Sequence, residues 1–518
     1  MKQFRYGIDK LTPGIVINIA EGKTKGVLSE KAEIKIRKSF ENVIEILKME
    51  KAVYGINTGF GSLCGTKISN KDTAKLQYNI LKSHACGVGE PVDLFIAKLM
   101  MIIKVHSLAF GYSGISLETI KRISWHIDND IIPIIPSQGS VGASGDLAPL
   151  AHLFLPLIGL GKVTENGKIY NSKTVLEKYN LKPLHLHPKE GLALINGTQF
   201  MSAHGVYGLY RFAGCLDNSD IISAISIEAR KASSEPFHEK LHELRPYDGS
   251  IYTSSRIRLM LEGSEISKSH KNCGKVQDPY SFRCIPQVSG AVRSAFFHLK
   301  NVITTELNSV TDNPVIIDKN TVISGGNFHG EPIAMPMDYA ALAASELGNI
   351  SDRRIYLLLG GDNDGLPKML LENVGINSGF MIAQYVSAAL ASENKTLCFP
   401  ASADSIPTSS GQEDHVSMGS ISSRKFHMIL SNLENILAIE LLLSTQAFEF
   451  RRPLKSTKII ETCYEYVRNN IEFAKEDRIF SEDIEKAKDI ITSNRLVEIT
   501  DAMFETVDDK LKSKFSIY

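Results

Sequence analysis

A glycine-rich loop carries the residues of this chain whose types and spacing most clearly suggest chemistry. Residues 139–146 are Gly-Ser-Val-Gly-Ala-Ser-Gly-Asp and precede an apolar segment. A glycine-rich loop that leads into a helix can bind phosphate through its backbone N–H groups, but the spacing here is G-x-x-G-x-x-G rather than G-x-G-x-x-G. Pro133 and Pro136 also interrupt the strand that a phosphate-binding loop would follow. Ser144 is not part of a G-x-S-x-G nucleophile elbow either.

The small residues of this loop allow a different chemistry. Because Ala143 and Gly145 have almost no side chain, the Gly145 amide nitrogen can approach the carbonyl carbon of Ala143. Ring closure with loss of two water molecules converts Ser144 into an exocyclic methylidene. The product, a methylidene-imidazolone, is a strong electrophile. An Ala-Ser-Gly triplet by itself is common and is usually structural, so the hypothesis depends on the rest of the sequence.

Several longer motifs supply that context. Residues 139–152 (GSVGASGDLAPLAH) resemble the signature of the aromatic amino-acid ammonia-lyases and aminomutases, a family that builds this electrophile from its own chain. Further blocks resemble the same family in the same order: 54–61 (YGINTGFG), 196–199 (NGTQ), 276–283 (VQDPYSFR), 310–314 (VTDNP) and 326–329 (GNFH). Several long motifs in register are more specific than any one of them.

The resemblance implies how the reaction proceeds. It implies that Ala143, Ser144 and Gly145 form the electrophile, so that no free cofactor is required. The substrate amine adds to the methylidene and becomes a better leaving group. The resemblance implies Tyr54 as the base that removes the β-proton, and Tyr280 stays an alternative. A neutral phenol is a poor base at its ordinary pKa of about 10, so the site must stabilise the phenolate, as the positive ends of helices can do.

The substrate-binding residues are implied in the same way. Arg283 should bind the substrate carboxylate, because a planar guanidinium matches a carboxylate bidentately. Asn196, Gln277 and Tyr280 should orient the substrate and the electrophile, and Phe328 should pack against one of the two. The alternative for Tyr280 and Arg283 is a simple i, i+3 pair on a helix surface. The resemblance also implies a homotetramer whose active sites draw residues from more than one subunit.

Two positions favour histidine as the substrate. His84 lies where members that act on phenylalanine usually carry a more apolar residue, and residues 412–418 (QEDHVSM) resemble the branch that acts on histidine. A buried imidazole has two polar nitrogens that need hydrogen-bond partners. Glu413 can accept from an imidazole N–H, and His84 can pair with the other nitrogen. The expected products are urocanate and ammonia.

Two residues depart from the pattern of that branch. Gly411 stands where Asn is common, and Ile285 stands where Gln is common. Both departures affect the expected choice of substrate rather than the class of reaction. An ammonia-lyase that acts on a modified histidine, in a betaine or thiol form, therefore stays an alternative. So does an aromatic aminomutase, which returns the ammonia to the β-carbon.

Two metal-binding motifs give alternatives from other classes. Residues 238–242 (HEKLH) match the H-E-x-x-H motif of zinc proteases, with Glu262 as a candidate third ligand. Pro236 and Pro246 confine any helix here to a short piece, which argues against a zinc site. Residues 360–365 (GGDNDG) resemble a calcium loop, but they do not fit the EF-hand register. We therefore expect no metal.

The composition limits the remaining classes of function. The chain has 518 residues, of which 43% are hydrophobic, and its 58 Lys+Arg balance its 58 Asp+Glu. A net charge of zero gives no electrostatic reason to expect nucleic acid or an anionic membrane as a partner. The seven cysteines are scattered without a Cys-x-x-Cys pair, which argues against a disulfide framework. The N-terminus has no secretory signal pattern, and we expect a cytoplasmic protein.

The elements that must position these residues are mainly helical. Apolar residues recur at three- and four-residue spacing in 426–441 and 339–350, and the segment 94–110 is apolar nearly all round. Alternating strand patterns are few and short, as at 315–322. We predict a mainly α fold, a long-helix bundle with a smaller, loop-rich α+β portion at the N-terminus that carries the electrophile. The predicted domains are 1–215 (electrophile), 216–452 (helical bundle) and 453–518 (C-terminal helices).

Overall fold

In a computed structural model of the protein, the described residues are 2–49, 53–59, 61, 65, 68–69, 72–271, 274–361, 365–503 and 508–518. Some residues considered above lie outside these ranges. They are Phe60 of the 54–61 block, Cys64, Cys273, and residues 362–364 of the calcium hypothesis.

The N-terminal portion combines short strands with helices of moderate length. Its helices are α1 (Pro13–Ala20), α2 (Glu30–Lys48), α3 (Thr73–His84), α4 (Leu94–Leu108), α5 (Leu117–Asp128), α6 (Leu147–Phe154), α7 (Ser172–Lys178) and α8 (Glu190–Ile195). Its strands are β1 (Lys2–Arg5), β2 (Thr24–Val27), β3 (Val88–Pro91), β4 (Ile132–Pro133), β5 (Pro136–Gln138), β6 (Lys162–Glu165) and β7 (Lys168–Asn171). β1 and β2 pair in parallel, while β3 with β5 and β4 with β6 and β7 form antiparallel sheets.

The central portion is a bundle of long helices. Its helices are α9 (Gln199–Arg230), α10 (Glu239–Glu243), α11 (Asp248–Leu261), α12 (Glu265–Ser269), α13 (Tyr280–Arg283), α14 (Ile285–Leu307), α15 (Glu331–Leu358), α16 (Met381–Leu397) and α17 (Gly419–Glu449). One short antiparallel pair, β8 (Val315–Ile316) and β9 (Val322–Ile323), lies between α14 and α15. The helices that follow are α18 (Lys458–Asn470), α19 (Phe480–Thr492), α20 (Arg495–Asp501) and α21 (Asp509–Phe515). Short 3-10 turns lie at Leu155–Ile158, Glu235–Phe237, Lys368–Leu370 and Ser409–Gly411. The prediction of a mainly α fold is confirmed.

Helix α17 is the centre of the bundle. It packs against α9, α15, α16 and α19, and the apolar residues that predicted it are fully buried along it: Phe426, Leu430, Leu433, Leu437 and Leu441. By length and composition alone α17 could cross a membrane, but most of it is buried inside the protein. Its apolar character therefore belongs to a core helix.

The predicted division into three domains stays a prediction. Helix α9 runs without a break through residue 215, where the first boundary was placed, and Cys215 is buried in it. A helix that begins beside the loop 139–146 therefore continues into the bundle. The second boundary, at residue 453, falls in the turn that follows α17.

Candidate active site

A cavity of about 530 Å³ in the N-terminal portion brings together four of the sequence-predicted residues. Tyr54 lies in a turn after α2, His84 ends α3, Ser144 precedes α6, and Glu413 lies in the loop before α17. Apolar side chains form most of the remaining described wall: Ile68, Leu76, Ile80, Leu147 and Leu192. An apolar pocket with a few converging polar groups is the usual form of a small-molecule site.

The backbone at Ser144 forms a tight turn against Gly197. Ser144 has φ +54° and Gly145 has φ +80°. A Cβ on Gly145 would lie only 2.1 Å from the carbonyl oxygen of Gly197, so only glycine fits there. The N–H of Asp146 donates to the Gly197 carbonyl (2.8 Å), and the N–H of Gly197 donates to the Ser144 carbonyl (3.4 Å). The turn and Gly197 are thus in close backbone contact.

Asn196 bonds directly to this turn. Its Nδ2 donates to the Ser144 carbonyl oxygen at 2.8 Å, while its Oδ1 accepts from the backbone N–H of Asn313 at 2.6 Å. Its own carbonyl accepts from the Nζ of Lys104 at 2.7 Å. Lys104 was not among the sequence-predicted residues. The available signal was a lysine among the apolar residues of α4, a helix that carries a second lysine at Lys98.

Several helices begin around the same loop. Helix α6 starts directly after it, and the Met418 N–H at the start of α17 donates to the Val141 carbonyl (3.0 Å). The Asp146 carboxylate accepts from the Met201 N–H in the first turn of α9 (3.1 Å) and from the Ser140 hydroxyl (3.3 Å). Burial raises the pKa of Asp146 to about 7. The helix N-termini direct partial positive charge towards the site.

Glu413 lies beside Ser144. The Ser144 hydroxyl donates to Oε1 of Glu413 at 3.3 Å, and the Thr408 hydroxyl donates to Oε2 at 3.1 Å. The loop that carries Glu413 turns at Gly411, whose φ is +85° and whose Cβ position is open space. The departure from Asn at this position therefore suits the left-handed backbone. The second departure, Ile285, is fully buried at the start of α14.

His84 faces the same cavity. Its Nδ1 lies 3.0 Å from the hydroxyl oxygen of Ser83. Burial lowers the pKa of His84, and the nearby negative charge of Glu413 opposes that shift only in part. A neutral imidazole offers one donor and one acceptor nitrogen, so His84 can hydrogen-bond to a polar ligand in the cavity.

Three predicted residues lie elsewhere on the chain. Gln277 and Tyr280 are exposed at the start of α13, and Tyr280 is 70% exposed. The guanidinium of Arg283 lies 4.7 Å from the centre of the Tyr280 ring, and its Nε is buried without a hydrogen-bond partner among the described residues. Tyr280 borders a different, open cavity of about 490 Å³. Within one chain these residues do not join Ser144.

Phe328 is not among the described residues that line either of these two cavities. It is half-buried in the loop before α15. The next residue, His329, stacks on His415 with ring centres 5.6 Å apart. Phe328 is therefore in a loop that contacts the 413–418 loop.

The H-E-x-x-H motif does not present two free imidazoles on one helix. His238 precedes the short helix α10, and its Nδ1 accepts from the N–H of Lys240 at 3.2 Å. The Nε2 of His242 donates to the Pro236 carbonyl at 3.0 Å. Across the part of the chain that the structure describes, no three His, Cys, Asp or Glu side chains are grouped to hold a metal ion.

Comparison with known proteins finds similar sequences and structures over most of this chain. The profile of the aromatic amino acid lyase family matches residues 11–469. The chain is 44% identical over 474 residues to the histidine ammonia-lyase of Idiomarina loihiensis, covering 91% of this chain and 93% of that relative. The crystal structure of histidine ammonia-lyase from Trypanosoma cruzi superimposes with a TM-score of 0.90 at 38% identity, covering 99% and 97% of the two chains. Tyrosine aminomutase from Streptomyces globisporus superimposes with a TM-score of 0.92 at 32% identity, covering 98% and 100%.

The chain therefore belongs to the aromatic amino acid lyase family. It is an enzyme of the ammonia-lyase class, a carbon–nitrogen lyase.

Proposed function

We propose that this enzyme removes ammonia from L-histidine and releases urocanate, with a methylidene-imidazolone formed from Ala143, Ser144 and Gly145. The observation that carries the proposal is the single cavity in which Ser144 meets His84 and Glu413. These two side chains are the partners that the nitrogens of an imidazole need. The name of the Idiomarina relative, histidine ammonia-lyase, supports the same substrate.

The residues around the turn fit the proposed group. Gly145 is pressed against Gly197 where no Cβ fits, so the backbone is already held in a turn of the kind that ring closure needs. Asn196 Nδ2 and the Gly197 N–H donate to the Ser144 carbonyl oxygen, which would be the carbonyl of the ring. When formed, the group supplies an electrophilic carbon that takes up the substrate amine and makes it a better leaving group. The donors at the Ser144 oxygen stabilise negative charge there.

The reaction requires a base that removes a proton from the β-carbon of the substrate. Tyr54 lines the cavity and is our first choice, with Tyr280 of a neighbouring copy as the alternative. The starts of α6, α9 and α17 favour negative charge in this region, which helps a tyrosine to act as the phenolate. Phe328 is proposed to pack against the substrate ring or the electrophile from the loop beside His415.

The cavity should discriminate between imidazole and phenyl rings. An imidazole can hydrogen-bond to both Glu413 and His84, whereas a phenyl ring can hydrogen-bond to neither. A polar group that is buried and unsatisfied costs about 1–3 kcal/mol. Two such groups together are sufficient for a clear preference for histidine over phenylalanine.

We further propose that a second copy of the chain completes the site, in a homotetramer. Gln277 and Tyr280 are exposed, and the Nε of Arg283 has no hydrogen-bond partner among the described residues, as expected of residues that serve a neighbouring site. In that arrangement Arg283 binds the substrate carboxylate bidentately. The described cysteines are free thiols, which suits our proposal that the enzyme works in the reducing cytoplasm.

An ultraviolet assay tests the proposed reaction. The purified protein is incubated with L-histidine, L-tyrosine and L-phenylalanine, each with and without a chelator. We expect urocanate absorbance to grow only with L-histidine and to be unaffected by the chelator. A cinnamate-type product from another amino acid would support the proposed electrophile but contradict the proposed imidazole-binding roles of His84 and Glu413. Loss of urocanate formation with the chelator would contradict a metal-free reaction.

A further inference from the structure

Lys104 is a fully buried lysine on α4 whose amine bonds to Asn196, the residue that donates to the Ser144 carbonyl. Its side chain is 1% exposed. Nζ donates to the Asn196 carbonyl at 2.7 Å and to Oε1 of Gln199 at 3.3 Å. Among the described residues no carboxylate lies within ion-pair distance of it. Burying an amine without a carboxylate partner costs folding free energy, so a lysine at this position needs a functional explanation.

The carboxylates near Lys104 are engaged by other groups. Asp312 pairs with Lys189 (2.7 Å) and accepts from the Ser113 hydroxyl (2.8 Å). Asp146 accepts from the start of α9. These charges influence Lys104 only over longer distances, and burial lowers its pKa to about 7. In either protonation state the amine retains N–H groups that donate to the Asn196 carbonyl.

Asn196 and Gly197 form the segment that holds the turn. The Ser144 carbonyl accepts from Asn196 Nδ2, and the Gly197 carbonyl accepts from the Asp146 N–H at 2.8 Å. Lys104 bonds to this segment through the Asn196 carbonyl. Without the amine, that buried carbonyl would lose its donor, and the segment would relax to find another.

We propose that Lys104 is a positioning residue for formation of the electrophile, because it keeps Asn196 and Gly197 pressed against the turn. The inference rests on the proposed function. In the step, the Gly145 nitrogen bonds to the Ala143 carbonyl carbon. The Ala143 oxygen leaves as water with the hydrogens of the Gly145 and Ser144 amides. The Ser144 hydroxyl then leaves as a second water with the hydrogen of its own Cα.

The test follows the mass of the peptide that contains residues 143–145, from the start of synthesis in a cell-free system. Lys104→Met removes the donor and keeps the length of the side chain, and Lys104→Arg restores a donor. Lys98→Met is the matched control, because Lys98 lies on the same helix and pairs with Asp130 at the surface. Circular dichroism and thermal unfolding establish that each variant is folded.

We expect the wild-type peptide to lose two waters. Lys104→Met should slow that loss by at least about tenfold, because a small displacement of reacting groups is sufficient for such an effect. Lys104→Arg should recover most of the rate, and Lys98→Met should match wild type. Lys104→Gln, which keeps the buried site polar but lacks the reach, serves as a second variant if Lys104→Met does not fold.

Each outcome separates the two hypotheses. A folded variant without the amine that loses both waters as fast as wild type would overturn the role of Lys104 and leave the proposed function intact. An equal delay in Lys98→Met would also overturn it, since the effect would not be specific to the buried amine. A wild-type peptide that retains both waters would contradict the proposed function itself.

Discussion

The turn at residues 143–146 and the segment at 277–283 carry two parts of one predicted chemistry, but their surroundings differ. The turn is held by Asn196 and Gly197 and lies among helix starts. In the segment at 277–283, Gln277, Pro279 and Tyr280 are exposed, and Tyr280 borders a separate, open cavity. Under the proposed function, one chain builds the electrophile and the imidazole pocket, while Arg283 binds the substrate carboxylate in the site of a second copy.

The largest expected effect is at the turn itself. Ser144→Ala removes the hydroxyl whose loss creates the methylidene, so urocanate formation should fall by at least on the order of 1,000-fold. The fold should be retained, because alanine has a smaller side chain than serine and leaves the backbone unchanged. Urocanate absorbance measures the first effect and circular dichroism the second. Ser137→Ala, in the nearby β5, is the control. A Ser144→Ala rate close to that of wild type would contradict the hypothesis that Ser144 forms the electrophile.

A second large effect on catalysis is expected from the segment at 277–283. Arg283→Met removes the proposed carboxylate partner, and the loss of a bidentate, charge-assisted pair should reduce kcat/KM by about 100-fold. Steady-state kinetics with L-histidine measure the change, and Arg245→Met, an exposed arginine of the same portion, is the control. An unchanged kcat/KM would indicate that the segment at 277–283 contributes only to the surface of the protein.

A smaller effect should separate substrate choice from electrophile chemistry. Glu413→Ala leaves an imidazole N–H without its acceptor, at a cost of about 1–3 kcal/mol, or roughly 5- to 150-fold in kcat/KM for L-histidine. Turnover of L-phenylalanine, however slow, should fall less. Glu485→Ala, an exposed glutamate on α19, is the matched control. Equal losses for both amino acids would argue against an imidazole-binding role for Glu413.

The smallest expected effect is on the free energy of unfolding and comes from a buried histidine of α9. His204 lies in α9 one turn beyond Phe200, to whose carbonyl its Nδ1 donates (2.9 Å), and burial lowers its pKa from 6.5 to about 4. Between these two values the unfolded chain binds a proton that the folded chain does not, so stability falls as the pH falls. At pH 5 this amounts to about 2 kcal/mol. Thermal unfolding at pH 7 and pH 5 should therefore show a larger loss for wild type than for His204→Gln. An equal loss would contradict the sign or the size of this shift.

Much of the fold is predictable from the sequence because it depends on local periodicity. The apolar spacing over 426–441 predicts α17, and the apolar segment at 94–110 predicts the buried α4. The prolines at 236 and 246 predict that the helix between them is short, and α10 has only five residues. The continuous α9 through residue 215 is less predictable, because its residues are buried nearly all round and carry little amphipathic signal.

The candidate site is predictable only in part. Motif order indicates that Ser144, His84 and Glu413 are candidates, but their distances depend on tertiary packing that no local pattern encodes. The same limit explains why Gln277, Tyr280 and Arg283 lie apart from them within one chain. Lys104 was missed for another reason. A lysine within an apolar helix matches no motif, and the contact of Lys104 with Asn196 joins residues 92 positions apart.

Co-expression of two impaired variants tests most directly whether the turn at 143–146 and the segment at 277–283 serve one reaction. Ser144→Ala keeps an intact segment at 277–283, and Arg283→Met keeps an intact electrophile turn. If the two parts of each site come from different copies of the chain, mixed oligomers contain sites with both intact parts, and urocanate should form from L-histidine well above the rate of either variant alone. Co-expressed variants that form mixed oligomers but are no faster than Arg283→Met alone would contradict the account.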